Sequence, residues 1–187
     1  EPIGCIIEQN GVASRVRRGG EEITVSGTKI PGIELKDTAV TCNGRMLIEV
    51  LDEVELSILE HTRIYIDEAY YDPDPSKSKM AIRMVQGTAR FTSGRGKRIN
   101  KSNVQLSTPT AEIAILGTDF TTTIDEIGQS LIILLPDEKT GLSSGKIIIS
   151  NAGGTVTLEE AYQASIISSY DRAPSSPVVL SGIDTNM

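Results

Sequence analysis

Val104-Gln105-Leu106-Ser107-Thr108-Pro109-Thr110-Ala111-Glu112-Ile113-Ala114-Ile115-Leu116-Gly117-Thr118-Asp119-Phe120-Thr121-Thr122-Thr123-Ile124 decides how the rest of this chain reads. It holds two strand-like runs. Thr108-Pro109-Thr110 breaks into the first, and Gly117 interrupts the second. Ile113 and Ile115 lie two residues apart, so an extended backbone points both to one face and turns Glu112 and Ala114 to the other. Gly117 within such a run predicts a bulge or a close backbone approach. Phe120 follows it, one of two phenylalanines in the chain. A scarce large ring beside a bend reads as a core anchor. The stretch looks like the centre of a β-domain.

Working outward, 187 residues suffice for one domain with a substantial core. With 39% hydrophobic and 23% charged residues the composition is that of a globular chain. Tryptophan is missing and aromatics are 4%, so Ile, Val and Leu must build the core, which favours strands. No apolar run approaches the ~20 residues of a membrane span. Two cysteines, Cys5 and Cys42, with one histidine make neither a disulfide framework nor a zinc site. Buried free thiols are the simplest reading.

Short strands and turn signals fill the chain on both sides. Cys5-Ile6-Ile7 and Ala13 to Arg17 flank Asn10-Gly11, a hairpin signal, and Asn43-Gly44 repeats it. Val54, Leu56 and Ile58 alternate with Glu53, Glu55 and Ser57. That strict period outweighs the helix propensity of Met46 to Leu59. Ile64 and Ile66 continue the period. Tyr70 to Ser76 is a loop because of its prolines. Ala81 to Val85 and Ala89 to Phe91 are strands separated by a break at Gly87. Leu131 to Leu135 is a continuous apolar run, the mark of a strand covered on both faces. Lys146 to Ser150 and Thr155 to Leu158 form a hairpin about Asn151 to Gly154, and Ala164 to Ile167 is a last strand. The pattern predicts an all-β roll or sandwich of short antiparallel strands over residues 1–168. Residues 169–187 form an extended Pro/Ser-rich tail. Within it Val178, Val179 and Leu180 are either a frayed end or a hook that adds onto a neighbour's edge.

Charge is segregated within a net −7. From Lys77 to Lys101 there are eight bases and no acid, whereas residues 32–72 and 102–187 each hold ten acids against three bases. Arg95, Lys97, Arg98 and Lys101 form a basic loop without interleaved aromatics. In an acidic chain this fits contact with an acidic neighbouring subunit or, equally, with the acidic remainder of the same chain, and no nucleic-acid binding is expected. Catalytic signals are missing. His61 sits in a turn with no triad spacing around it. Asp72-Pro73-Asp74 lacks the ligand alternation of a calcium loop, and Gly94-Arg95-Gly96-Lys97 lacks the spacing of a phosphate loop. The expectation is a protein that is not an enzyme and carries neither cofactor nor metal.

Thr108-Pro109-Thr110-Ala111 followed by Gly117-Thr118-Asp119-Phe120 resembles the Thr-Pro-x-Ala and Arg-Gly-Thr-x-Phe elements of FecR domains. Asp37 to Gly44 is similar to that family's Gly-Asp-x-Val-x-Thr-Gly region. Leu116 stands where the family has arginine. If that arginine satisfies buried acceptors, this chain must satisfy them otherwise or be drier there. The resemblance implies an all-β fold used in periplasmic signal relay, without catalysis. The anti-sigma segment and membrane helix of many such proteins are not seen in these residues. The fuller run from Thr108 to Pro136 is similar in texture to FecR-like virion structural proteins of tailed phages from marine cyanobacteria. The leading expectation is therefore a structural, protein-binding part of a virion, meeting other virion proteins and copies of itself through the basic loop and the tail. The alternative is an extracytoplasmic signalling or surface module in the bacterial periplasm or at the cell surface, binding a receptor or a neighbouring protein.

Overall fold

Alternating β-branched and polar residues bury one face and wet the other only when the backbone is extended. The computed structural model describes residues 3–11, 14–26, 30–50, 53–93, 100 and 103–181, and these form seventeen strands. The N-terminal half holds β1 (Gly4–Asn10), β2 (Arg15–Arg18), β3 (Glu21–Thr24), β4 (Gly32–Ile33), β5 (Thr38–Val40), β6 (Arg45–Val50), β7 (Val54–Ile58) and β8 (Arg63–Tyr70). A long strand, β9 (Lys79–Thr92), follows. Beyond it come β10 (Val104–Ser107), β11 (Glu112–Leu116), β12 (Asp119–Ile124), β13 (Ser130–Leu134), β14 (Lys146–Asn151), β15 (Gly154–Leu158), β16 (Gln163–Ile167) and β17 (Val178–Val179).

The strands make two sheets that share β9. Sheet A runs β4-β1-β6-β7-β9-β12-β13-β16-β17. Sheet B runs β3-β2-β5-β8-β9-β10-β11-β14-β15. In both, everything before β9 in sequence lies to one side of it and everything after lies to the other. The chain alternates between layers as it steps outward.

Cross-strand register lines up the core in rows. In sheet A, Ile6, Ile48, Leu56, Phe91, Phe120 and Leu134 are successive partners. In sheet B the row is Ile66, Ile82, Leu106, Ile113, Ile149 and Val156. These rows belong to one hydrophobic cluster. Each fully buried large side chain contributes about 1.5–3 kcal/mol. The rings of Phe91 and Phe120 stack with centroids 5.3 Å apart, which adds about 0.5–1.5 kcal/mol.

The all-β architecture, the alternation of β7, the β14–β15 hairpin and the anchoring role of Phe120 match what the sequence predicts. Other expectations are corrected. Neither Asn-Gly pair closes a hairpin. Asn10-Gly11 leads out of β1 in sheet A towards β2 in sheet B, and Asn43-Gly44 joins β5 in sheet B to β6 in sheet A. The two turns stack, since a Cβ on Gly11 would lie 2.7 Å from the Asn43 carbonyl oxygen. The antiparallel rule has one exception, because β9 and β10 pair in parallel. Leu131 and Ile133 are half-buried while Ile132 and Leu134 are buried, so β13 alternates and is not fully covered on both faces. The cysteines are free, but Cys5 is exposed and Cys42 only half-buried.

Gly87 does not end a strand. It bends β9, which pairs with β8 and β10 in sheet B before this point and with β7 and β12 in sheet A from it onward. Its φ is +94°, and an added Cβ would lie 2.3 Å from Thr62 Oγ1 and 2.5 Å from Thr62 Cα. The Thr62 hydroxyl uses that space. It accepts from the Thr88 amide and donates to the Thr88 carbonyl, each at 3.1 Å, and that carbonyl also accepts from the Leu59 amide at 3.1 Å. Gly117 differs. Its φ is +65° with nothing within 4 Å of an added Cβ, so conformation and not crowding selects glycine there. Gly117→Ala should therefore destabilise by about 1–2 kcal/mol, whereas Gly87→Ala, with strain and a backbone collision together, should lose about 3 kcal/mol or more. Thermal melts of the two variants check this; equal losses would contradict the crowding at Gly87.

Candidate functional site

The two motif elements bracket β11. At its start, Thr108 and Ala111 close a tight turn through an amide-to-carbonyl bond of 2.9 Å. The Thr108 hydroxyl accepts from the Thr110 and Ala111 amides and from Ser130 Oγ at 2.9 Å. Pro109 occupies a turn position where no ladder amide is needed. Thr110, buried, places its hydroxyl 2.7 Å from Ser130 Oγ, and its carbonyl accepts from Asn151 Nδ2 at 3.1 Å. Ala111 is buried against the core. This element ties β10 and β11 to β13 and to the β14–β15 turn.

At the other end, Gly117 and Thr118 carry the chain from sheet B into sheet A. Here lies a shallow groove of about 510 Å³, lined by Leu47, Ser57, Arg90, Thr118, Asp119 and Ser144 among others. Arg90 on β9 makes a two-pronged bond to Asp119 on β12, Nε to Oδ1 at 3.0 Å and Nη2 to Oδ2 at 2.6 Å. Nη2 also reaches Glu138 at 3.1 Å. The first pair is mostly shielded, with side-chain exposures of 18% and 11%, whereas Glu138 is 79% exposed. The bond to Asp119 raises the Arg90 pKa above the usual arginine value, so Arg90 stays charged. Ser144 Oγ accepts from the Asp119 amide at 3.0 Å and donates to the Leu135 carbonyl at 2.6 Å. It also lies 3.1 Å from Thr118 Oγ1. Gly145 folds onto the kink so closely that a Cβ there would lie 2.3 Å from the Gly117 carbonyl oxygen.

Leu116 is half-buried, and the side-chain bonds around the kink come from Arg90 and Ser144. Neither was singled out in the sequence, where Arg90 reads as one member of a basic run and Ser144 as loop. Around the groove stand Glu8, Glu55, Asp137 and Lys139. Acids outnumber bases, and Arg90 is already engaged, so the groove suits a basic or hydrogen-bonding group on a protein surface.

The other candidates lie elsewhere. Arg95, Lys97, Arg98 and Lys101 fall outside the described residues. Val178 and Val179 form β17 on β16 of the same chain, and the Leu180 amide bonds to the Tyr162 carbonyl at 2.9 Å. Ser175 also bonds β16, through the Ile166 carbonyl and amide. Residues 169–180 thus pack along their own domain. His61 is exposed in a turn at φ +55°. Asp72 and Asp74 spend carboxylate oxygens on local turn bonds to Asp74, Ser76 and Tyr70. Among the described residues no group of three or more His, Cys, Asp or Glu could hold a metal, and no helix is long and apolar enough to cross a membrane.

The arrangement defines a two-layered all-β domain whose most built surface feature is an open polar groove at an inter-sheet crossing. A family model described as FecR protein matches residues 36–135, more than half of the chain, and the chain belongs to the FecR family. Two crystal structures of a candidate anti-sigma factor from Parabacteroides distasonis share the fold, with TM-scores of 0.54 and 0.55 and 13% identity. The match covers 73% of this chain and 56% of theirs, so this chain spans about half their length. No curated protein matches the chain in sequence.

Asp119→Asn should destabilise by about 2–3 kcal/mol, because it leaves Arg90 half-paired in a shielded site. Glu138→Gln, at the exposed end, should change stability by under about 0.5 kcal/mol. Ser144→Ala should lose about 1–2 kcal/mol through the orphaned Asp119 amide. Urea unfolding of the three variants provides the measurement.

Proposed function

We propose that this chain is a non-catalytic, extracytoplasmic FecR-type module that works by holding a partner protein, a receptor or a neighbouring envelope protein, in a signalling relay. The observation that carries the reading is the family match over residues 36–135. It is supported by a fold shared with structures described as a candidate anti-sigma factor. The virion reading rests on sequence texture from Thr108 to Pro136, and no structural finding favours it.

The surface offered to the partner is the groove at Asp119. A shielded ion pair at its base keeps the floor rigid, while Glu8 and Glu55 beside it are free to meet lysine or arginine side chains. Charge pairs at such a rim mainly set association rate and salt sensitivity. The internal bonds of Arg90, Asp119 and Ser144 remain intact on binding, so the surface presents itself preformed.

The test starts from gene neighbours. If the chain is encoded beside a sigma factor and an outer-membrane receptor, the receptor's periplasmic domain should bind it in calorimetric titration. Glu8→Lys with Glu55→Lys should weaken that binding about tenfold, or about 1.4 kcal/mol, with circular dichroism unchanged. Neighbouring capsid and tail genes, together with recovery of the chain from purified particles, would replace this reading with the virion one.

A further inference from the structure

A wrap built from two open sheets ends in edges, and exposed edges invite pairing unless they are blunted. Most edges here are. β3 carries Glu21 and Glu22, the latter paired with Arg15 and Arg17. β4 has two residues and follows Pro31. Beyond it, β1 is bulged between Ile6 and Glu8. β16 is covered by Ser175 and β17, and β17 itself is two residues long after Pro177. The exception is β15, Gly154-Thr155-Val156-Thr157-Leu158. It has no charge, no proline and no bulge, and among the described residues only β14 pairs with it.

The register shows which groups β15 leaves open. The Thr108-to-Ala111 bond makes Ala111 a bonded partner of β10's turn, so alternation turns Ile113 towards β10 and Glu112 and Ala114 towards β14. On β14, Ile148 and Ser150 then face β11, while Ile147, Ile149 and Asn151 face β15. Their partners Leu158, Val156 and Gly154 bond inward. Thr155 and Thr157 therefore point their amide and carbonyl groups out of the sheet edge.

We propose that β15 is a strand-pairing edge through which two copies of this chain join antiparallel, in a register centred on Val156. The sequence of the edge complements itself about that centre. Thr155 meets the second copy's Thr157 and exchanges amide and carbonyl bonds with it, and their β-branched hydroxyl side chains pair on the outer face. Val156 meets its own equivalent on the inner face, where it is only partly buried against the core. Electrostatics do not oppose the contact. Residues 146–158 hold one base and no acid, and neighbouring Glu159 is paired with Lys146 at 3.0 Å. Short strands bury less than a standard interface, so the dimer is weak and concentration-dependent.

Sedimentation equilibrium from about 10 μM to about 1 mM should show the mass rising from 20.1 kDa towards twice that. Amide exchange at Thr155 and Thr157 should slow severalfold over the same range, while exchange in β8 stays constant. Thr157→Pro removes only an outward amide, so it should keep the monomer folded and abolish the rise; Thr157→Val should preserve it. A constant monomer mass with unprotected Thr155 and Thr157 overturns the proposal. So does a dimer that forms without protecting them, or one that survives in folded Thr157→Pro. Should that variant unfold, the wild-type exchange data decide. Failure here leaves partner binding at the Asp119 groove untouched, since that surface lies on sheet A.

Discussion

The fold depends on one strand passing through two sheets. β9 can do this because Gly87 adopts a positive φ and leaves room for the Thr62 hydroxyl, which bonds both backbone groups of Thr88. A bend in the centre of a sheet normally orphans ladder groups, and buried orphans are expensive. Thr62 removes that penalty on the side of β8. Its own amide is held by the Thr41 hydroxyl at 3.0 Å, so the bend is fixed from the N-terminal half. The C-terminal half pairs with the opposite edges of β9, in parallel through β10 and antiparallel through β12. Both halves thus take their register from a single bent strand.

The family elements fit the same logic. Thr108 to Ala111 and Gly117 to Phe120 stand at opposite ends of the five-residue β11. The first turns the chain within sheet B. The second sends it across to sheet A and delivers Phe120 onto Phe91, next to the bend. Their threonines are engaged internally, with Ser130 and Ser144 as partners. The motif is thus chiefly a device for making two short strands meet at a defined crossing. The groove arises as its by-product, since Asp119 must face outward when Phe120 faces inward.

A domain held in this way has little reason to change shape on binding. Among the described residues, the long edge with neither charge nor proline nor bulge is that of β15. The two proposed contacts rest on separate features, one on side-chain charge and one on backbone bonds, and they do not compete because the Asp119 groove and the β15 edge belong to different sheets.

Strand content and most inward residues were legible in the sequence because a period of two is local and needs only a few neighbours to read. Alternation in Val54 to Ile58, the Gly117 kink and the anchoring of Phe120 are of this kind. Which strand pairs with which was not legible. Asn10-Gly11 and Asn43-Gly44 carry hairpin chemistry, yet each joins different sheets, because both sheets must be extended in turn to bury a common core. The bonds at the groove connect Arg90 to Asp119 and Ser144 to Asp119, 29 and 25 residues apart, and nothing local in either side chain announces its partner. Sequence by itself determined that the chain would be extended and where it would bend. Tertiary structure decided which layer each strand entered, and hence which polar groups met, because that choice depends on burying one apolar face of every strand at the same time.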